Sequence, residues 1–306
     1  MQQFAHISDP HLTSLAGVRA AELLSKRALG YLSWHRNRRH EHRPEVLAAL
    51  KLDLRQRTLA QLLVTGDLTH IGLPMEFVQA AQWLRELGEP TDVALVPGNH
   101  DACVRAPWEQ TFGQWLPFLA SDEPGGQPGN IFPSLRVRGD LAFIGVSTAV
   151  PKPPLLATGT AGAEQIRRLS DMLEETGAQG LFRVVFLHHC PLVGHEKWRK
   201  RLTDAAHLES VLAEQGVELV LHGHGHRRHR NELPTRAGNA PVIAVPSASA
   251  LGLHGKDVAG YNCYTVAADA QGWTLTIEER RYNSGTRAFA AGARDQVALT
   301  RTPRAA

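Results

Sequence analysis

The stretch Val93-Ala-Leu-Val-Pro-Gly-Asn-His-Asp101 is an apolar run that stops at a proline and then delivers an amide, an imidazole and a carboxylate in successive residues. The same plan recurs on either side of it. Phe4-Ala-His-Ile-Ser8 runs into Asp9-Pro-His11, and Leu62-Leu-Val-Thr65 runs into Gly66-Asp67. Val184-Val-Phe-Leu187 ends at His188-His189, and Val217-Glu-Leu-Val-Leu221 ends at His222-Gly-His-Gly-His226. Leu141–Val146, Val242–Val245, Tyr264–Val266 and Trp273–Ile277 are further strand-like runs. Short continuous apolar runs suit strands buried on both faces, under layers of helix. Helical spacing falls between them. Residues 44–57 place Val46, Leu47, Leu50 and Leu54 on one side, and residues 74–88 start at Pro74 and stop at Gly88. Residues 162–176 and 203–215 also read as helices. The alternation predicts an α/β layered fold, with the chemistry at strand ends.

The 306-residue chain suits one large α/β domain or two small ones and is ample for a well-buried core. Its formal charge of +3 is close to balance and does not point to nucleic acid. Cys103, Cys190 and Cys263 are scattered, which suits neither a disulfide framework nor a thiolate zinc site and fits a reducing compartment. The opening MQQFAHISD lacks a basic segment followed by an apolar one, so no signal peptide is expected. No apolar run approaches the roughly 18 residues of a membrane span. The expected location is cytoplasmic, with a peripheral contact at the inner membrane as the second option.

Taken singly, the polar strand ends say little. An aspartate after a strand is commonly a turn former or a helix cap, and a histidine pair is commonly satisfied within a core. Together, five strand ends supply imidazole, carboxylate or amide. Two-residue spacing in Asp9-x-His11 and His224-x-His226 puts both side chains of each pair on one side of an extended backbone. Gly223 and Gly225 flank His224 and let backbone approach closely. Nitrogen and oxygen donors without thiolate suit Mn, Fe, Zn or Co.

In order, Asp-x-His, Gly-Asp, Gly-Asn-His-Asp, His-His and Gly-His-x-His resemble the calcineurin-like metallophosphoesterase superfamily over residues 3–282. The resemblance implies a four-layer αββα sandwich of two mixed β-sheets flanked by helices, with two metal ions at the sheet edges. It implies that one ion is held by Asp9, His11, Asp67 and His226, and the other by Asp67, Asn99, His188 and His224. Asp67 would bridge them and offset the repulsion of two cations ~3.5–4 Å apart. A water between the ions would become hydroxide near neutral pH and attack phosphorus in line. His100 resembles the family's catalytic histidine and would protonate the leaving oxygen, with Asp101 orienting its ring. Asn99, His100 and His189 are the candidate contacts to substrate. A scaffold that has lost catalysis would have lost ligands, and here every ligand position is filled.

The expected activity is hydrolysis of a small phosphodiester, with a nucleotide-like substrate first. Specificity would reside in the loops 12–43, 102–135, 148–160 and 190–202. The last carries Lys197, Arg199, Lys200 and Arg201. Residues 18–43 form a basic amphipathic insertion containing Leu23, Leu24, Leu29, Leu32, Lys26, Arg27, Arg36 and Arg38. The insertion would either lay an apolar stripe on the core or meet anionic lipid. Lys26-Arg-Ala-Leu-Gly-Tyr-Leu-Ser-Trp34 is similar to a segment of bacterial phosphoesterases related to UDP-2,3-diacylglucosamine hydrolases. A pyrophosphatase of such a lipid precursor at the membrane surface is therefore the alternative. Residues 1–283 are read as the metallophosphoesterase domain, and residues 284–306, polar and without clear periodicity, as a C-terminal tail. No DNA partner is expected, and the oligomeric state stays open.

Overall fold

Every apolar run identified above becomes a strand in the computed structural model, which describes residues 1–12, 14–123, 131–269 and 272–300. In chain order the elements are β1 (Gln2–Ile7), α1 (Arg27–Ser33), α2 (Arg39–Glu41), α3 (Pro44–Leu54), β2 (Gln61–Val64), α4 (Pro74–Leu87) and β3 (Val93–Leu95). Then follow α5 (Leu116–Leu119), β4 (Ser134–Arg138), β5 (Leu141–Val146), α6 (Ala163–Ala178), β6 (Phe182–Leu187) and α7 (Ala205–Gln215). The chain finishes with β7 (Leu219–His222), β8 (His229–Thr235), β9 (Gly238–Ala244), β10 (Gly260–Ala268), β11 (Gly272–Asn283) and β12 (Ala288–Thr300).

The strands form two mixed sheets of six, ordered β12-β11-β10-β1-β2-β3 and β4-β5-β6-β7-β9-β8. Strands β1, β2 and β3 are mutually parallel in the first sheet, and β5, β6, β7 and β9 in the second. The sheets face each other across Phe4, Leu63, Val96, Phe143, Phe186, Leu221 and Tyr264. Outside the first sheet, α3 and α4 bury Val46, Leu50, Phe77 and Leu84. Outside the second, α6 and α7 bury Ile166, Leu169, Leu173, Leu208 and Leu212 at helical spacing. Four layers result because each sheet is apolar on both faces and each face needs a cover. Each large apolar side chain buried this way contributes about 1.5–3 kcal/mol.

Helix α4 shows the local logic. Pro74 supplies a preset φ at the first turn. Glu76 then turns its buried carboxylate onto the backbone N–H groups of Leu73, His70 and Ile71, at 2.9, 2.7 and 3.2 Å. This fixes the loop that follows β2.

Residues 288–300 of the segment read as a tail form β12, paired antiparallel with β11 from Asn283↔Ala288 to Gly272↔Thr300. Most of β12 is exposed, so no alternating apolar pattern marks it. Residues 301–306 of that segment, and 124–130 of the loop 102–135, lie outside the described residues. Trp115 and Phe118 pack in the core under α4, and Trp108 packs partly against it. No helix among the described residues is long and apolar enough to cross a membrane.

The insertion is held over the ends of the strands. Trp34 buries with Leu15, Ile71, Leu73 and Cys103. Arg27 donates to the carbonyls of Ile71 and Gly72, and Lys26 to those of Lys152 and Leu156. Two of its cations are therefore spent on strapping the insertion to the loops beneath it.

Candidate metal centre

The C-terminal ends of β1, β2, β3, β6 and β7 meet at one edge of the sandwich. Ligand atoms of Asp9, His11, Asp67 and His226 lie within 4.8 Å of one another. So do those of His188, His189 and His224. His226 Nε2 is 3.1 Å from Asp9 Oδ1. His188 Nε2 is 3.4 Å from Asp67 Oδ2, 3.2 Å from Asn99 Oδ1 and 3.2 Å from His224 Nδ1. All seven residues that the motifs single out as ligands therefore come together, with Asp67 reaching toward both groups.

The backbone strains to achieve this. Among the described residues eight non-glycine residues have positive φ, and five of them are Asp9, His11, Asp67, His224 and His226. Such conformations cost of order 1–3 kcal/mol each and persist where function requires them. Two glycines give way instead. A Cβ on Gly98 would lie 2.2 Å from Asp67 Oδ1, and one on Gly223 would lie 1.8 Å from Ser8 Oγ and 2.7 Å from Asp9 Oδ2. A Cβ on Gly225 would meet nothing closer than 3.4 Å, so only Gly223 of the flanking pair serves close approach.

The rings are aimed by the backbone. His11 Nδ1 sits 3.0 Å from the Thr69 carbonyl and His188 Nδ1 2.6 Å from the Thr65 carbonyl. A carbonyl only accepts, so each Nδ1 carries a proton and each Nε2 faces the site, where a bound ion would take its lone pair, the usual arrangement behind a metal-bound histidine. Asp9 Oδ2 accepts from Ser8 Oγ at 2.6 Å and the His224 N–H at 3.0 Å. Three ring nitrogens here, His11 Nε2, His224 Nε2 and His226 Nδ1, are buried and hydrogen-bonded to nothing. Buried polar atoms rarely go without a partner, and a cation between these lone pairs and carboxylates would satisfy them. The donor set fits one or more transition-metal ions.

The electrostatics agree. Burial opposes a charge on His188, yet Asp67, with its hydrogen bond, and Asp9 carry its pKa up to about 9. Two buried carboxylates thus draw a positive charge into the space between them. His100 moves the other way, to about 4, through burial and the Arg38 cation. Burial and the charge on Asp67 push Asp101 up to about 7, against the donors of Gly98 and Thr69.

Two expectations need correction. Asp101 does not orient the His100 ring. Its buried carboxylate accepts from Asp67 N, Gly98 N, Thr69 N and Thr69 Oγ1 at 2.9, 2.9, 2.9 and 3.0 Å, pinning the β2 and β3 loops together. His100 is held instead by the His70 carbonyl, 2.7 Å from its Nδ1. His189 has no ring nitrogen left for substrate: Nδ1 meets Thr148 Oγ1 at 2.7 Å and Nε2 the Ala157 carbonyl at 3.1 Å. Lys197, Arg199, Lys200 and Arg201 of the loop 190–202 are exposed to solvent.

Sequence reasoning passed over Arg38 and His42, both from the insertion. Arg38 Nη1 lies 3.0 Å from His100 Nδ1. Because the His70 carbonyl already claims the Nδ1 proton, Arg38 stands beside that ring as a neighbouring cation. His42 packs its ring 4.5 Å from His11 and 5.7 Å from His226. The only advance signal was that a basic segment interrupts the chain directly after the first ligand pair.

Residues 3–228 match the family described as calcineurin-like phosphoesterase. A stretch of 183 residues is 31% identical to a Synechococcus sp. protein named "Probable cyclic nucleotide phosphodiesterase", covering 59% of this chain and 63% of that one. The chain thus spans less than two thirds of that relative's length. The crystal structure of a dimetal phosphatase from Danio rerio superimposes with a TM-score of 0.52 at 13% identity, covering 95% of this chain and 98% of that chain. At that identity the likeness speaks for the fold alone. A match over most of the chain, with each strand-end motif at the same edge of a two-sheet sandwich, means that the chain belongs to the calcineurin-like phosphoesterase family.

Proposed function

We propose that this protein is a metal-dependent hydrolase of small phosphodiesters. The observation that carries the reading is the convergence of Asp9, His11, Asp67 and His226 within 4.8 Å, beside His188, His224 and Asn99. Asp9, His11, Asp67 and His226 would hold one ion, and Asp67, Asn99, His188 and His224 a second. Bound ions supply Lewis-acid charge and lower the pKa of a nucleophilic water.

The chain's own groups then bind and move protons. Arg38 has no carboxylate within salt-bridge distance among the described residues, and burial works against its charge while Asp67 sustains it. A partly buried cation held at the site suits a phosphoryl oxygen. His100 keeps its Nδ1 proton on the His70 carbonyl, so Nε2 is the nitrogen that works on substrate. The negative charge of a bound phosphate favours the imidazolium and lets Nε2 donate to the leaving oxygen. Asp67 accepts the His100 N–H at 2.7 Å, so the bridging carboxylate and the proton donor are fixed to one another.

The reading of a diester over a monoester is supported by a cavity that reaches the β3 loop at Pro97. The cavity, of about 530 Å³, has an apolar side of Trp108, Phe112, Phe132 and Val150 and a polar side that includes Glu164, Gln165 and Arg168, and no candidate metal ligand lines it. An apolar, partly aromatic wall suits a flat organic substituent such as a nucleobase. The name of the Synechococcus relative agrees with a nucleotide diester. The lipid-precursor reading draws on Leu24, Leu29 and Leu32 of the insertion, which are 75%, 49% and 43% exposed beside its basic residues.

The test is hydrolysis of bis-p-nitrophenyl phosphate beside p-nitrophenyl phosphate by protein stripped of metal and then given Mn²⁺. Metal-restored cleavage with the diester ahead supports the reading. Cleavage of neither ester, with metal bound, would turn attention to pyrophosphate-linked lipids and to the insertion.

A further inference from the structure

The insertion contributes one more group to this edge, and its geometry is that of a ligand. His42 is 7% exposed. Its Nδ1 lies 2.8 Å from Ser249 Oγ. Its Nε2 is buried and hydrogen-bonded to nothing. Donor atoms of His11, His42 and His226 all lie within 4.8 Å of one another. Metal–nitrogen bonds of about 2.0–2.1 Å place two nitrogens on one ion no more than about 4.2 Å apart, so a small inward movement of these rings brings all three onto one ion.

The backbone around His42 is locked. Its N–H donates to the Arg38 carbonyl at 2.8 Å, and it pairs with Ala250 as an isolated bridge. The neighbouring Glu41 carboxylate caps the N–H groups of Gly252 and Leu253 at 3.1 and 3.0 Å. A histidine with one nitrogen held by a neighbour, the other bare, and a rigid backbone is built like His11 and His188, whose Nδ1 atoms are also held. A buried Nε2 without a partner costs about 1–3 kcal/mol, which a bound ion would offset.

We propose that His42 is an additional protein ligand of the ion held by Asp9, His11 and His226, so that the insertion 18–43 completes the coordination of that ion. The proposal rests on the metal-dependent reading above. Four protein donors leave a first-row ion of octahedral preference short of its complement; a fifth donor, the third nitrogen, raises affinity and narrows the space left for water and substrate. The insertion thereby becomes part of the metal site itself.

The experiment uses the full chain, stripped of metal and titrated with Co²⁺. Elemental analysis after equilibrium dialysis gives stoichiometry and affinity, and visible absorption reports the donor set of each ion. Wild type is expected to bind two ions. His42→Ala and His42→Gln are expected to retain one ion at wild-type affinity, to weaken the other about 10-fold or more, and to change the absorption band of that ion alone. Ser249→Ala leaves Nε2 in place but frees the ring and should give a smaller loss of the same ion. Thermal melting of the metal-free proteins shows whether each variant is folded. Unchanged affinities and spectra in folded His42 variants overturn the proposal and leave the metal-dependent reading standing. Three ions in wild type and two in His42→Ala also overturn it, because His42 then serves a separate ion. No ion bound by wild type overturns the metal-dependent reading, and this inference with it.

Discussion

Replacing Gly98 by alanine adds a methyl where the structure has no room. The new carbon would sit 2.2 Å from Asp67 Oδ1 and 2.5 Å from Asp67 N. Ordinary carbon–oxygen contacts begin at about 3.3 Å, so the two loops must part by about 1 Å. No rotamer change of Asp67 relieves both clashes, since one of them is with its backbone. Asp67 Oδ1 also accepts the His100 N–H at 2.7 Å, and separation stretches that bond. Overpacking of this kind costs about 1–3 kcal/mol, and at roughly 2–4 °C per kcal/mol the melting temperature should fall by about 2–12 °C. Activity should suffer more, because a misplacement of about 1 Å in a catalytic group costs on the order of 100-fold in rate. Gly225→Ala is the control. It stands between two candidate ligand histidines, yet its Cβ meets nothing closer than 3.4 Å. We expect Gly98→Ala to lose metal in elemental analysis, to melt earlier and to drop kcat/KM on bis-p-nitrophenyl phosphate, with Gly225→Ala close to wild type in all three. If Gly98→Ala keeps its metal, its melting temperature and its turnover, the close approach of the β2 and β3 loops does not position Asp67, and the reasoning fails.

Two further substitutions probe the proton and the phosphate. His100→Ala should keep its metal but turn over more slowly, with a smaller loss on p-nitrophenyl leaving groups than on alkyl ones, since good leaving groups need less protonation; equal losses across leaving groups would remove the acid role. Arg38→Ala should lower kcat/KM and weaken inhibition by inorganic phosphate by about 10- to 100-fold, the worth of a hydrogen bond to a charged group, with Arg38→Lys recovering part of it. Phosphate inhibition identical to wild type would assign Arg38 to holding the insertion in place.

The order of motifs and the alternation of elements were legible in the sequence because both are local. Strands buried on both faces read as continuous apolar runs, and helices such as α6 carry their stripe every three to four residues. The candidate ligand set was legible for the same reason: each donor follows directly from its own strand, so Asp9, Asp67, Asn99, His188 and His224 could be proposed without knowing which strands adjoin. Strand β12 was not, because an edge strand exposed on most of its length is specified by its pairing with β11 and not by its own pattern.

What the tertiary structure alone decided concerns groups whose roles depend on distant neighbours. Asp101 follows His100 in sequence, yet its carboxylate serves the backbone of Asp67 and Thr69, more than thirty residues away. His189 adjoins a candidate ligand but is consumed by Thr148 and Ala157. Arg38 and His42 sit in a segment that reads as a basic amphipathic helix, and only packing turns one toward His100 and the other toward His11 and His226. A sequence fixes which groups a backbone can offer at a strand end or along a helix. Whether a ring nitrogen meets a carbonyl or is left bare among its neighbours is settled by chain segments far away in sequence, once the fold has closed.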